Sequence, residues 1–309
     1  MTPDDLEALD ELEFSIRAIL PETYQDTYDD VQPVSMGSAG LKYDEDGRVA
    51  WNQIWGSFCD LAMAGGPPHK GVLLEPGAAA SVAARPDEYK AVTDEIARGV
   101  HLVTGLEATP SREPGWIQVR CDDAGMAGWL ARAIVMENVS ARARGAVLDL
   151  PAGPDFRLAK EIKNVVTAVA KAVHYWTEHV PALQQRSIGS MFARMAKDYP
   201  LVEPAWASDD AWEAQHEIDC TRVADCIFVA SGLRRSSHRQ RGWIGLDCGR
   251  VSGAIWIMRA LVVANIMARR EGTVLPSSRQ SGYRSRCWAR HRSGDPLSPS
   301  RGCQQRAAA

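Results

Sequence analysis

The sequence predicts an α/β fold made of two similar halves: internally duplicated, pseudo-two-fold, β-α-β-containing units behind an N-terminal helix, with a C-terminal tail outside the fold. Three observations predict it. Gly115-Trp116-Ile117, Cys121, Trp129, Arg132-Ala133, Val135, Asn138, Ala141-Arg142, Gly145 and Val147-Leu148 form the first copy. They recur without a gap, 127 residues later, as Gly242-Trp243-Ile244, Cys248, Trp256, Arg259-Ala260, Val262, Asn265, Ala268-Arg269, Gly272 and Val274-Leu275. A repeat at fixed spacing is read first, because it makes each copy one structural unit. Within each copy a strand-like run leads into a long apolar helix and out into a second strand. Beyond Leu275 the correspondence stops at once, in a stretch rich in Arg and Ser.

In chain order, residues 1–48 hold an amphipathic helix over 3–20, with Leu6, Leu9, Leu12, Ile16 and Ile19 on one side and Pro21 ending it. The first repeat spans 49–155. It opens with Trp51, Ile54, Trp55, Phe58, Leu61 and Ala62 at helical spacing, stopped by Gly65-Gly66-Pro67-Pro68, and a short strand over 69–76 follows. A further strand is predicted at 101–106, matching 228–233. Strand 116–121 comes next. Asp122 or Asp123 can cap the following helix, which is predicted to run to Arg144, where Gly145 ends it in the left-handed conformation. Two strands joined by a helix of this length are expected to be parallel, with a right-handed crossover. A long helix over 156–178 occupies a connecting segment, 156–185. The second repeat, 186–275, has strand 243–248, helix 249–270 and strand 272–275. Residues 276–309 have no apolar period and almost no acids. They read either as a disordered basic tail or as the product of a reading-frame shift, which the loss of pattern in mid-strand favours.

Length and composition bound the rest. A chain of 309 residues with 45% apolar and 24% charged residues is expected to be a soluble globular protein of one large or two ordinary domains. No run of about eighteen apolar residues occurs, so no membrane span is predicted. The acidic N-terminus is unlike a signal peptide. Seven cysteines without a framework spacing read as reduced thiols, which points to a cytoplasmic location. Residues 1–48 carry about ten excess negative charges and 276–309 about six excess positive ones. The near-neutral stretch between them has no basic stripe, so no nucleic-acid partner is expected.

The candidate site residues come from the repeat and from one loop. Cys121 and Cys248 precede a predicted helix N-terminus, where the dipole and free N–H groups would stabilise a thiolate; a small buried residue at a tight junction is the plainer reading. Arg132 and Arg259 lie within helices apolar on most sides, so each needs an anionic partner from the protein or from a ligand. Arg142 and Arg269 would complement the negative helix end. Asn138 and Asn265 lie on the same face and must satisfy both donor and acceptor. His69 and Lys70, in the Gly65-to-Gly71 loop, add a titratable group and a cation to the first half alone. His216, Cys220 and Cys226 do not complete a tetrahedral metal site, and His174 and His179, five apart, are expected on different faces. No metal is predicted and no cofactor is indicated.

The expected function is that of an enzyme acting on a small anionic metabolite near the junction of the halves. Arg132 or Arg259 would hold the anion, with Asn138, Asn265 and Lys70 as further ligand contacts and Cys121 and His69 as catalytic candidates. The alternative is a non-catalytic assembly, maturation or interaction protein, using the repeated helices as a partner or self-association surface that could form a homo-oligomer. Convergence of these side chains in one pocket favours the first; their burial, with an apolar patch elsewhere, favours the second.

Overall fold

At the N-terminus, Thr2 and Asp5 close a reciprocal cap: the Thr2 hydroxyl accepts the Asp5 N–H at 3.2 Å and the Asp5 carboxylate accepts the Thr2 N–H at 2.7 Å. Pro3 occupies the first turn, and helix α1 runs over Pro3–Ala18. Only its second half meets the body. Ile16 and Ile19 are buried, whereas the predicted face residues Leu6 and Leu9 are exposed. The structure is a computed structural model describing residues 2–29, 40–54, 60–68, 71–204 and 210–278, with the backbone alone at 210–216 and 238–239. The chain is a mixed helix-and-sheet protein with two antiparallel sheets.

The helix predicted over 51–62 is replaced by two short 3-10 turns, Trp51–Gln53 and Ala62–Ala64; residues 55–59 between them lie outside the described residues. Of the strand predicted at 69–76, Leu74 alone among the described residues pairs, in a parallel bridge to Val139. After the short helix α2 (Ala79–Ala84), α3 runs over Pro86–Thr104 and absorbs most of the strand predicted at 101–106. Its Val92, Ile96 and Val100 keep helical spacing up to Gly105, whose φ of 74° closes the helix.

The first sheet contains β1 (Ala108–Pro110), β2 (Trp116–Arg120), β3 (Arg142–Arg144) and β4 (Val147–Pro151), in the order β1-β2-β4-β3. Helix α4, Ala124–Met136, starts at Asp123, whose Oδ1 accepts the Met126 N–H at 2.8 Å. It ends eight residues before the predicted Arg144. Asn138 takes the left-handed conformation at φ 60°, and Gly145, at φ 59°, turns the β3–β4 hairpin rather than ending the helix. That hairpin corrects the parallel expectation. β2 and β3 do run in the same direction across α4, but β4 inserts between them and pairs antiparallel with both. The crossover rule concerns strands that become neighbours, and these do not.

Residues 210–278 follow a similar order, with β3 answered only by isolated bridges at Ala268 and Glu271. α7 (Asp210–Ser231) replaces the strand expected at 228–233, followed by β5 (Arg234–Gln240), β6 (Trp243–Asp247), α8 (Val251–Val263) and β7 (Val274–Ser278). β6 pairs antiparallel with β7, from Trp243↔Ser278 to Asp247↔Val274, as β2 pairs with β4 from Trp116↔Pro151 to Arg120↔Val147. Left-handed positions recur at the same spacing: Gly105 and Gly232, Gly115 and Gly242, Asn138 and Asn265, Gly145 and Gly272. Val202 bridges Ile266 as Leu74 bridges Val139.

Between these halves lie α5 (Lys163–His174) and α6 (Ala182–Asp198). α5 is flanked by two π-helical turns, Leu158–Ile162 and Tyr175–His179. It packs against both α3 and α4, while α6 crosses α4 where Gly125 faces Gly189. α4 is thereby buried on all sides, and Trp129, Leu130 and Ile134 sit in one core that also takes in Trp243, Met258 and Leu275.

Candidate functional site

The predicted arginines and asparagines do come together, in bonds that cross between the halves. Arg132 Nη2 donates to Asn265 Oδ1 at 2.6 Å, and its Nη1 to the Gly128 carbonyl at 2.7 Å. Arg269 Nη1 donates to Asn138 Oδ1 at 2.8 Å. Asn265 Nδ2 completes its inventory on the Tyr199 carbonyl at 2.8 Å. All four side chains are buried. The guanidinium of Arg132 lies 4.1 Å from the Phe192 ring centre, and burial pulls its pKa down to about 10 against the opposing effect of Glu203. Arg259, fully buried, donates to the Met63 and Ala64 carbonyls at 3.2 and 2.9 Å and lies over the Tyr28 ring. Arg142 and Arg269 are not at helix ends. Arg142 binds Asp149 at 2.9 Å over the Trp116 ring, and Arg269 pairs with Glu271 over the Trp243 ring.

Asn138 and Asn265 stand two residues beyond their helices, not on a helical face. Their left-handed backbone turns each carbonyl toward a neighbouring segment, where it accepts from Leu74 N–H at 2.8 Å and Val202 N–H at 3.0 Å. Asparagine tolerates this conformation better than most L residues. One residue type thus turns the chain, joins a strand edge and crosslinks the halves.

The cysteines run opposite to the thiolate expectation. Burial, with Asp122 and Asp123 alongside, pushes the Cys121 thiol up to about 12, and burial with Asp247 pushes Cys248 up to about 11. Asp123, not Cys121, occupies the helix cap, and burial is the larger cause of the raised thiol pKa, with the two carboxylates adding to it. His69 and Lys70 lie outside the described residues.

Sequence reasoning gave two features no functional role. Glu75 and Glu203 stand just before Pro76 and Pro204 in the paired edge segments. Burial raises the pKa of both, opposed by Arg241 and Arg269 at Glu75 and by Arg142, Arg144 and Arg132 at Glu203. The second feature is a polar cluster at the end of α5. The Tyr175–His179 turn has the wider π repeat, so residues five apart meet, and the His174 and His179 rings touch edge to face with centres 5.1 Å apart. The expectation of different faces assumed α-helical spacing. Tyr24 Oη donates to Asp60 at 2.6 Å and lies 3.1 Å from Tyr175 Oη, which leaves Tyr175 to donate to Tyr24. Below them Lys171 and Glu137 form a fully buried ion pair at 2.9 Å, and Glu137 also accepts the Ala62 N–H. Burial and the bond to Asp60 raise the Tyr24 pKa, so its phenol keeps its proton at neutral pH and acts as a donor, not a base.

Open hollows lie among the described residues, and no predicted site residue lines the two best formed. One, of about 680 Å³ between α1 and α6, is edged by Glu7, Asp10, Phe14, Ala18, Met191 and Arg194. The other, of about 570 Å³, lies on the face of β2 beside Glu107, Gln118 and Arg120. Among the described residues no three potential metal ligands cluster, and no described helix is long and apolar enough to cross a membrane. No family model, curated protein or solved structure matches the chain.

Proposed function

We propose that the chain is a non-catalytic interaction protein, built from two copies of one unit, whose repeated arginines and asparagines lock the copies together. The observation that carries this reading is the pair of crossed bonds, Arg132 to Asn265 and Arg269 to Asn138, with every partner buried. Four buried side chains that bond one another across the halves offer a metabolite little exposed surface. The recurrence of left-handed positions and edge bridges at constant spacing supports common descent of the halves. The direct test is thermal shift of the full chain against phosphorylated metabolites, nucleotides and organic acids. The expected outcome is no ligand-dependent rise in Tm. A rise of several degrees that is abolished in an Arg132→Gln variant would instead establish an anion site at the junction.

A second reading keeps the enzyme and moves its chemistry. The edge-to-face pair of His174 and His179, beside the Asp60–Tyr24–Tyr175 chain at a π turn, favours it, because π turns recur at functional sites. In that reading the small anionic metabolite meets imidazoles rather than the repeated arginines. A hit in the same screen that survives Arg132→Gln and is lost in His179→Ala would select it.

A further inference from the structure

Phe14 stands on the side of its helix that faces away from the core. α1 turns Ile16 inward, where it is buried, and beside it Glu13 accepts from Trp256 Nε1 at 2.6 Å and from Tyr28 Oη at 2.9 Å. Glu7, Glu11, Phe14 and Ala18 repeat at helical spacing on the opposite side, and Phe14 is 74% exposed there. A lone exposed apolar side chain needs no explanation, but this one has a setting. It edges the hollow of about 680 Å³ between α1 and α6, whose α6 wall is Ser187, Met191 and Arg194, again at helical spacing. Leu183, one turn before Ser187 on the same face of α6, is 73% exposed. The C-terminal end of α1 meets the N-terminal end of α6, where Gln184 Nε2 donates to the Ala18 and Leu20 carbonyls at 2.9 and 2.7 Å.

The two walls of this groove differ in charge. α1 carries six carboxylates and no base over residues 3–16, and Glu7, Asp10 and Glu11 line the groove. Among the described residues none of these three has an ion-pair partner, and the facing Arg194 reaches none of them. Along α1 the lining runs from Glu7 to Ala18, about 16 Å at 1.5 Å per residue, which three turns of a helix span. We infer that the α1–α6 groove takes one amphipathic helix of a partner protein, apolar on the face laid onto Phe14, Ala18 and Met191 and basic along the edge that meets Glu7, Asp10 and Glu11. Both walls are helical rows of side chains, and a third helix is the element whose i, i+3, i+4 and i+7 positions fit between them. The Phe14 ring offers apolar area and a face for Lys or Arg, while the carboxylates around it select positive charge. A second α1 has the wrong sign, since acids would face acids over the same three turns.

This names the class of partner for the interaction reading and rests on it. The probe is a fluorescent model helix, LKKLLKLLKKLLKL, titrated with the full chain and read by anisotropy at physiological salt. Its controls are a Leu–Lys peptide in strict alternation, which has the period of a strand, and the acidic helix LEELLELLEELLEL. Expected is saturable binding of the basic helix, at least ~tenfold tighter than of either control. Phe14→Ala and Asp10→Lys, both at exposed positions, should each weaken it at least ~tenfold. Arg194→Glu, which turns the groove's cation into an acid, should tighten it several-fold. Glu45→Lys, the same reversal of charge at an exposed position that does not line the groove, should change it less than ~twofold. Equal losses in Glu45→Lys and Asp10→Lys, or no loss in Phe14→Ala, overturn the proposal, because the attraction would then belong to net charge alone. Absence of saturation at about 100 µM overturns it as well. Two other occupants are read on the same samples. A mass of twice 33.8 kDa by light scattering that Phe14→Ala returns to monomer would give the groove to a second copy. Binding seen only after 279–309 are deleted would give it to the chain's own tail, and either result overturns the partner helix. The metabolite screen reads the junction of the halves rather than this groove, so failure here and failure of the interaction reading are separate results.

Discussion

Asn265 does three tasks at once, and its substitutions separate them. Asn265→Gly keeps the left-handed backbone but removes the acceptor of a buried guanidinium, so it is expected to cost about 2–3 kcal/mol in urea unfolding. Asn265→Ala adds the steric cost of φ 60°, about 1–2 kcal/mol more. Equal losses would show that the backbone there is relaxed. The thiols give a second test. With its pKa pushed up to about 12, Cys121 should resist iodoacetamide in the folded chain and react only in denaturant, whereas exposed Cys226 labels in dilute folded protein. Rapid labelling of Cys121 below pH 7 would restore it as a nucleophile. Glu203 supplies a pH dependence. Its folded pKa is raised, so the folded state binds a proton more tightly than the unfolded chain; its favourable contribution is complete below the ordinary carboxylate value and is lost as pH rises through the raised one. Glu203→Gln should therefore raise Tm at pH 8 more than at pH 4. The reverse order would mean that the arginines beside it outweigh its burial.

Elements were legible where a signal was local. Asp123 as a cap, the run of apolar residues that becomes α4, and the end of α1 could all be read from neighbouring residues. Pairing could not. Gly145 has the same φ whether it ends a helix or turns a hairpin, and only the three-residue β3 decides between parallel and antiparallel neighbours. The π turn was hidden too: its Trp176 carbonyl and the Val180 carbonyl just beyond it accept from Gln185 of α6 at 2.8 and 2.9 Å, contacts that no neighbouring residue announces. The candidate site fared likewise: sequence reasoning picked out the arginines and asparagines, but not that they serve each other across 131 and 133 residues. At this scale the α4–α6 crossing makes an asymmetric prediction. A Cβ on Gly125 would stand 2.8 Å from the Gly189 backbone, so Gly125→Ala should separate the helices and lose about 2–3 kcal/mol. A Cβ on Gly189 meets nothing nearer than 3.5 Å, and Gly189→Ala should be neutral or gain up to about 1 kcal/mol from helix propensity. Equal losses would show that the helices do not cross at these glycines.

At the scale of the whole molecule, one core takes in residues from both halves, so the halves are expected to melt in one transition. Deleting 280–309 should leave stability unchanged within about 1 kcal/mol, because that segment has no apolar period with which to bury surface; a larger loss would make the tail part of the fold. The crossed bonds also have a consequence in time. During synthesis Arg132 leaves the ribosome 133 residues ahead of Asn265, which at 5–20 residues per second is a wait of roughly 7–27 s. Throughout that interval the nascent first half carries, at the centre of its most apolar helix, a guanidinium that has the Gly128 carbonyl but not yet its Asn265 acceptor. It must stay open, or be held open by a chaperone, until the second half arrives. Pulse-labelled chains should accordingly remain protease-sensitive until elongation has passed Asn265, and become resistant in a single step rather than half by half.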